Sequence, residues 1–166
     1  MSIKYFRSYI KYILLIVVIF NNANSYAEIG GDFTLKDHNN NKYHLSDSSK
    51  IKIIFFGFLN CPDICPTTLT EVSSLLNKLG GLAKHIDPIF ITVDPDRDTP
   101  ELLKNYLSFF DERIIGLTGN QDQIEKVSNQ YHVYYSYQKK GEVENYTVNH
   151  TANMYLLNEK NKVEKI

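Results

Sequence analysis

Tryptophan is absent from the 166 residues, which decides nothing about function, and cysteine is almost absent, with two in the chain. All thiol chemistry therefore rests on Cys61 and Cys65. No proline follows Pro100. A site that takes a cis-proline from the later part of the chain is thereby excluded. Neither sign of charge dominates, with 18 Lys and Arg against 19 Asp and Glu. No basic run is long enough to track a phosphate backbone, so nucleic acid is not an expected partner. Long hydrophobic runs are missing too. A membrane-spanning helix needs ~20 apolar residues, and the run from Tyr12 to Phe20 is about half of that. The length suits one domain and is short for two.

What is present at the N-terminus is set apart from the rest. Lys4, Arg7 and Lys11 precede the apolar run, and Ser25-Tyr26-Ala27 closes the segment with a small-x-small pattern. A basic start, a short apolar core and such an end make a secretory signal peptide. Residues 1–27 are expected to be cleaved after Ala27 or kept as a short membrane anchor. Residues 28–166 form the working domain. Either way that domain is exported, soluble or tethered at the membrane surface. In an oxidising compartment two close thiols readily pair, so a partner protein would have to keep them reduced.

Ile51-Lys52-Ile53-Ile54-Phe55-Phe56 is short, β-branched and aromatic, and reads as a buried strand over 51–58. Cys61-Pro62-Asp63-Ile64-Cys65-Pro66 follows. Then Leu69, Val72, Leu75, Leu76 and Leu79 fall on one helical stripe, which places a helix over 67–79, ended by Gly80-Gly81. Both thiols thus lie where a strand hands over to a helix N-terminus. Unpaired N–H groups and the helix dipole favour a thiolate there. The thiolate is the species that attacks disulfides and binds metals. A structural disulfide or two inert core cysteines is the plainer alternative.

Further along, a β-hairpin is expected over Gly30 to Leu45 and a second central strand over 88–93. The order strand, helix, strand implies a parallel pair with a right-handed crossover. Asp98 or Thr99 can cap the next helix, with Pro100 in its first turn and Leu102, Leu103, Tyr106, Leu107 and Phe110 on its apolar face. A short strand over 113–118 and a helix over 120–128 come next. Residues 134–145 are polar and read as an excursion. A strand after Tyr146 and a partner beginning at Lys162 close the chain. Five histidines, His38, His44, His85, His132 and His150, are available as ligands or structural groups.

From about Gly31 to Leu157 the chain resembles the SCO (SenC) copper chaperones, which help to assemble the copper site of cytochrome c oxidase. Three motifs carry the resemblance. One is Cys61-Pro62-Asp63-Ile64-Cys65-Pro66. A second is Asp94-Pro95-Asp96-Arg97-Asp98-Thr99-Pro100 with Tyr106 downstream. The third is Asn149-His150-Thr151 followed by Tyr155-Leu156, where Asn149 replaces the family's acid and Thr151 its serine.

The resemblance implies an α/β, thioredoxin-like fold with an N-terminal β-hairpin. It also implies a copper ion held by Cys61, Cys65 and His150, with His150 in a loop that faces the cysteine turn. Two soft sulfurs and an imidazole suit Cu(I) and also admit Cu(II). The implied partners are the copper-site subunit of cytochrome c oxidase, a thiol-reducing protein and the membrane surface; the implied place is the periplasm. Asp94 and Arg97 are expected to shape the field at the site or to meet a partner. Family members continue past the final hairpin into a helix that covers the sheet, whereas this sequence stops at Ile166. A fold lacking that C-terminal helix, or one with another element over that face, is expected.

A second reading keeps the two thiols and omits the metal: an exported thiol–disulfide oxidoreductase acting through Cys61 and Cys65. Thioredoxin-type oxidoreductases set a cis-proline opposite the cysteine pair, and no proline is available there. A thiol peroxidase fits poorly, because peroxiredoxins carry threonine three residues before the reactive cysteine and position 58 is Phe.

Overall fold

The apolar run after Lys50 forms an interior strand of a seven-stranded sheet. Residues 29–139 and 146–166 are described by the computed structural model. The expected signal peptide or anchor, residues 1–27, lies outside them. Among the described residues, no helix is long and apolar enough to cross a membrane.

In chain order the elements are β1 (Thr34–Asp37), β2 (Lys42–His44), β3 (Ile51–Gly57), α1 (Ile64–Leu79), β4 (Ile86–Thr92), α2 (Pro100–Ser108), β5 (Ile115–Thr118), α3 (Gln121–Gln130), β6 (Tyr135–Lys139), β7 (Tyr146–His150), β8 (Met154–Leu157) and β9 (Val163–Lys165). The large sheet runs β2-β1-β5-β4-β3-β8-β9, and β6 and β7 form a separate two-stranded sheet. β3, β4 and β5 are parallel, while β8 lies antiparallel on the other side of β3. This is the thioredoxin-like α/β fold that the sequence implied, entered by the expected hairpin β1–β2.

Strand β3 is apolar on both faces because both are covered. Ile53 and Phe55 pack with Leu69, Val72 and Leu76 of α1 and with Leu103 and Leu107 of α2. Ile54, Phe56 and Phe58 face the other way, toward Ile124 and Val127 of α3, Tyr131, Tyr155, and Val148 of β7. Helices and the β6–β7 hairpin therefore cover the central strands from both sides. Leu156, in β8 between β3 and the edge strand β9, remains 39% exposed. Lys52 is the polar exception in the run. It is wholly buried, with its ammonium donating to the Ser48 carbonyl and to Asn161 Oδ1, and burial holds its pKa below the ordinary lysine value.

Three expectations need correction. Helix α1 begins at Ile64, not at 67, so Cys65 lies in its first turn. Residues 135–139 are not part of an excursion: they form β6, which pairs with β7 from Tyr135↔His150 to Lys139↔Tyr146. His150 is accordingly the last residue of a strand and not a loop residue. Of the two candidate caps for α2, Asp98 and Thr99, Thr99 takes the role: its side chain accepts the Leu102 N–H, and Pro100 stands at the first helical position, as expected.

Candidate metal centre

β3 ends at Gly57, and the chain then turns back through Phe58 to Cys61. The turn is closed by the Cys61 N–H donating to the Phe58 carbonyl at 3.2 Å. Cys61 sits on this turn, half-buried, and Cys65 sits in α1, 3% exposed. Gly57 makes room for the second sulfur. A Cβ at position 57 would stand 2.6 Å from the Cys65 Sγ and 2.7 Å from the Phe90 ring. The sequence marks this glycine only by its place at the strand end, and its packing role was not read there.

His150 arrives from the opposite direction, on β7. The hairpin that carries it is docked on the loop between β4 and α2. Tyr137 donates its hydroxyl to the Val93 carbonyl at 2.8 Å. Tyr146 donates to Asp94 Oδ1 at 2.6 Å. Arg97 Nε binds Asp94 Oδ2 at 2.5 Å, and Arg97 also donates to the Tyr146 carbonyl at 3.0 Å. Its guanidinium lies 3.6 Å from the centre of the Tyr146 ring, a cation–π contact. Asp94 and Arg97 thus act as the seat of the histidine hairpin, a role the sequence does not display.

The three sequence-predicted ligands come together. The donor atoms of Cys61, Cys65 and His150 all lie within 4.8 Å of one another. Donors bound to one ion at roughly 2.0–2.3 Å stand at most about 4.6 Å apart, so little movement separates this arrangement from a closed site. His150 Nε2 is 3.5 Å from Cys65 Sγ. Its Nδ1 is 3.0 Å from the Thr151 carbonyl, which only accepts, so the ring proton belongs on Nδ1. The Nε2 lone pair is thereby aimed at the sulfurs, the arrangement that orients a ligating imidazole. The Phe58 ring meets the imidazole edge-on, with centroids 5.8 Å apart.

The helix N-terminus does not decide the charge of Cys65. Burial pushes its pKa far up, the neighbouring Cys61 thiol adds to this, and the Phe58 backbone hydrogen bond opposes it less strongly. Burial thus favours the thiol over the thiolate at Cys65, whose sulfur lies 3.5 Å from His150 Nε2. A metal cation would displace the thiol proton and supply the charge that burial denies.

The other histidines lie elsewhere. His38 Nδ1 accepts the Gly116 N–H at 2.9 Å, and burial lowers its pKa. His44 is bonded to Thr34 Oγ1. His85 ends a short 3₁₀ turn, and His132 follows α3 with a positive φ. Among the described residues, Cys61, Cys65 and His150 form the group that can hold a metal ion.

Asp98 lies beneath the cysteine turn. Its Oδ2 accepts the Leu59 N–H at 3.0 Å and the Thr92 hydroxyl at 2.5 Å. Burial pushes its carboxyl up to about 6, against the two hydrogen bonds.

Comparison with known proteins agrees with this geometry. The sequence model of the SCO1/SenC family matches residues 21–166. The SCO2-like protein RP587 of Rickettsia prowazekii is 38% identical over 149 residues, which span 88% of this chain and 72% of that one. The copper-bound structure of Bradyrhizobium japonicum ScoI is 41% identical with a TM-score of 0.79, covering 82% of this chain and 87% of that one. BsSco, described as a member of the Sco family of cytochrome c oxidase assembly proteins with a disulfide switch, is 25% identical with a TM-score of 0.63, covering 82% of this chain and 80% of that one.

Proposed function

The chain belongs to the SCO1/SenC family, and we propose that it binds one copper ion through Cys61, Cys65 and His150 and delivers it to the copper-site subunit of cytochrome c oxidase. The observation that carries this reading is the convergence of two sulfurs and one imidazole within 4.8 Å. The donor set fits the cargo, since soft thiolates select Cu(I) and an imidazole is a good copper ligand. Relatives with copper bound support it as well.

Binding replaces protons with metal. Both thiols are deprotonated, and His150 Nε2 gives its lone pair. Release is a ligand exchange, in which the acceptor's thiolates and imidazoles replace these three one at a time. Cys61 is half-buried and on a turn, which suits it to be the ligand exchanged first. The export segment at residues 1–27 would place the domain on the periplasmic side of the membrane, free or tethered. There a thiol-reducing partner would keep both cysteines available.

The free thiols also support thiol–disulfide exchange as a second reading. In that reaction the Cys61 and Cys65 thiols would be oxidised to a disulfide while a partner's disulfide is reduced, with two electrons and two protons passing across. The buried Cys65, whose thiolate is disfavoured, makes this the slower chemistry.

The test is to load the reduced full-length protein with Cu(I), desalt it and measure copper per chain. One copper per wild-type chain and none in Cys61→Ser/Cys65→Ser is expected. A wild-type chain that emerges without copper, yet reduces insulin disulfides, overturns the chaperone reading in favour of the redox one.

A further inference from the structure

Of the three proposed ligands, Cys61 is the one that no helix or strand holds. Cys65 is placed by α1 and by the space at Gly57, and His150 by β7. The position of Cys61 depends on the bonds of its turn. One is the turn's own bond to the Phe58 carbonyl. The other involves Leu59, whose N–H leaves the turn and meets the Asp98 carboxylate 3.0 Å away, from a residue 39 positions further on.

That carboxylate is itself held in place. Thr92 Oγ1 accepts the Asp94 N–H at 2.9 Å and so directs its own proton to Asp98 Oδ2 at 2.5 Å. The Asp98 N–H donates to the Asp94 carbonyl at 2.9 Å. Asp98 is 1% exposed, so water does not compete for its oxygens. A buried acid opposes folding unless its hydrogen bonds offset the loss of water. Helix capping does not explain it, because Thr99 already caps α2. What remains is the amide of the cysteine turn.

We propose that Asp98 is the positioning residue of that turn, fixing through Leu59 where the Cys61 sulfur stands relative to Cys65 and His150. Its effect on metal binding rests on the copper reading; its effect on the turn does not. The two donors at Thr92 and Leu59 favour the ionised acceptor and oppose the rise that burial imposes.

The test uses the full-length, reduced chain in wild-type form and as Asp98→Ala and Asp98→Asn. Amide exchange of metal-free protein is followed by NMR, normalised to Phe90 in β4, and Cu(I) affinity is measured by competition with a chromophoric chelator. In Asp98→Ala, exchange at the Cys61 amide should rise at least about tenfold beyond the global change, and Cu(I) affinity should fall about 10–100-fold, the usual effect of losing a group that orients a ligand. Asp98→Asn keeps an oxygen but loses the charge, and should fall between, about threefold to tenfold on both readouts. If Asp98→Ala does not fold, Asp98→Asn decides alone. Wild-type exchange at Cys61 in a folded variant overturns the proposal, as does faster exchange with wild-type Cu(I) affinity. If the wild-type chain binds no Cu(I), the copper reading fails, and exchange at Cys61 still decides the role of Asp98.

Discussion

His150 Nε2 and Cys65 Sγ stand 3.5 Å apart although 85 residues separate them in the chain. The contact joins two independently supported pieces. The sulfur belongs to the crossover after β3, and the imidazole to a hairpin docked on the loop after β4. The two atoms stand where one metal ion would bond to both.

Replacing His150 with alanine removes one of three donors. Cu(I) affinity should fall by more than the ~10–100-fold typical of an outer partner. His150 is only half-buried, so urea unfolding of metal-free protein should change by less than about 1 kcal/mol. Equal affinity in competition titrations of the wild type and His150→Ala would remove the imidazole from the ligand set.

Gly57→Ala places a methyl group 2.6 Å from the Cys65 sulfur. The Cys65 sulfur on one side and the Phe90 ring on the other leave it no room, so overpacking should cost about 1–3 kcal/mol. Copper binding should weaken in parallel, because the sulfur is what must move. Denaturation curves and copper retention measured on the same preparation check both.

Tyr146→Phe removes the hydroxyl that donates to Asp94 at 2.6 Å, and leaves the ring over Arg97. Loss of a hydrogen bond to a charged group should cost about 1.5–3 kcal/mol. Amides of β6 and β7 should exchange faster than those of β3 and β4. Uniform change across all four strands would mean that the tyrosine supports the whole fold and not the histidine hairpin.

The pH dependence of stability carries a signature of Asp98. Its folded pKa is raised, to about 6, above the ordinary 3.8. The folded state therefore binds the extra proton, and this contribution to stability is full below pH 3.8 and lost as pH rises through about 6. Wild type minus Asp98→Asn should grow by up to ~3 kcal/mol as pH falls from 7 to 4. Chemical denaturation of the pair across that range measures it, and a difference that is flat with pH refutes the assignment.

Much of the site was legible because its signals are local. The strand before Cys61, the apolar stripe from Leu69 to Leu79 and the Thr99-Pro100 start of α2 each depend on neighbours a few residues away. The hairpin β6–β7 was not legible. Tyr135 and Tyr137 fell in the expected polar excursion, whereas they lie in β6, paired with β7 and docked through hydroxyl bonds from Tyr137 to Val93 and from Tyr146 to Asp94. The role of Asp98 was not legible either: it was one of two candidate caps, three acids precede Pro100, and nothing in their spacing tells which one turns inward.

The sequence by itself determined that two thiols sit where a central strand becomes a helix, since hydrophobic periodicity and turn residues act over short distances. It also named the histidine, through a motif. Tertiary structure decided the rest: that Cys65 is buried, which disfavours its thiolate, that the Asp94–Arg97 pair seats the hairpin of His150, and that Asp98 meets the amide of Leu59. Burial and long-range hydrogen bonds depend on which segments become neighbours in space, and that is set only when the sheet closes.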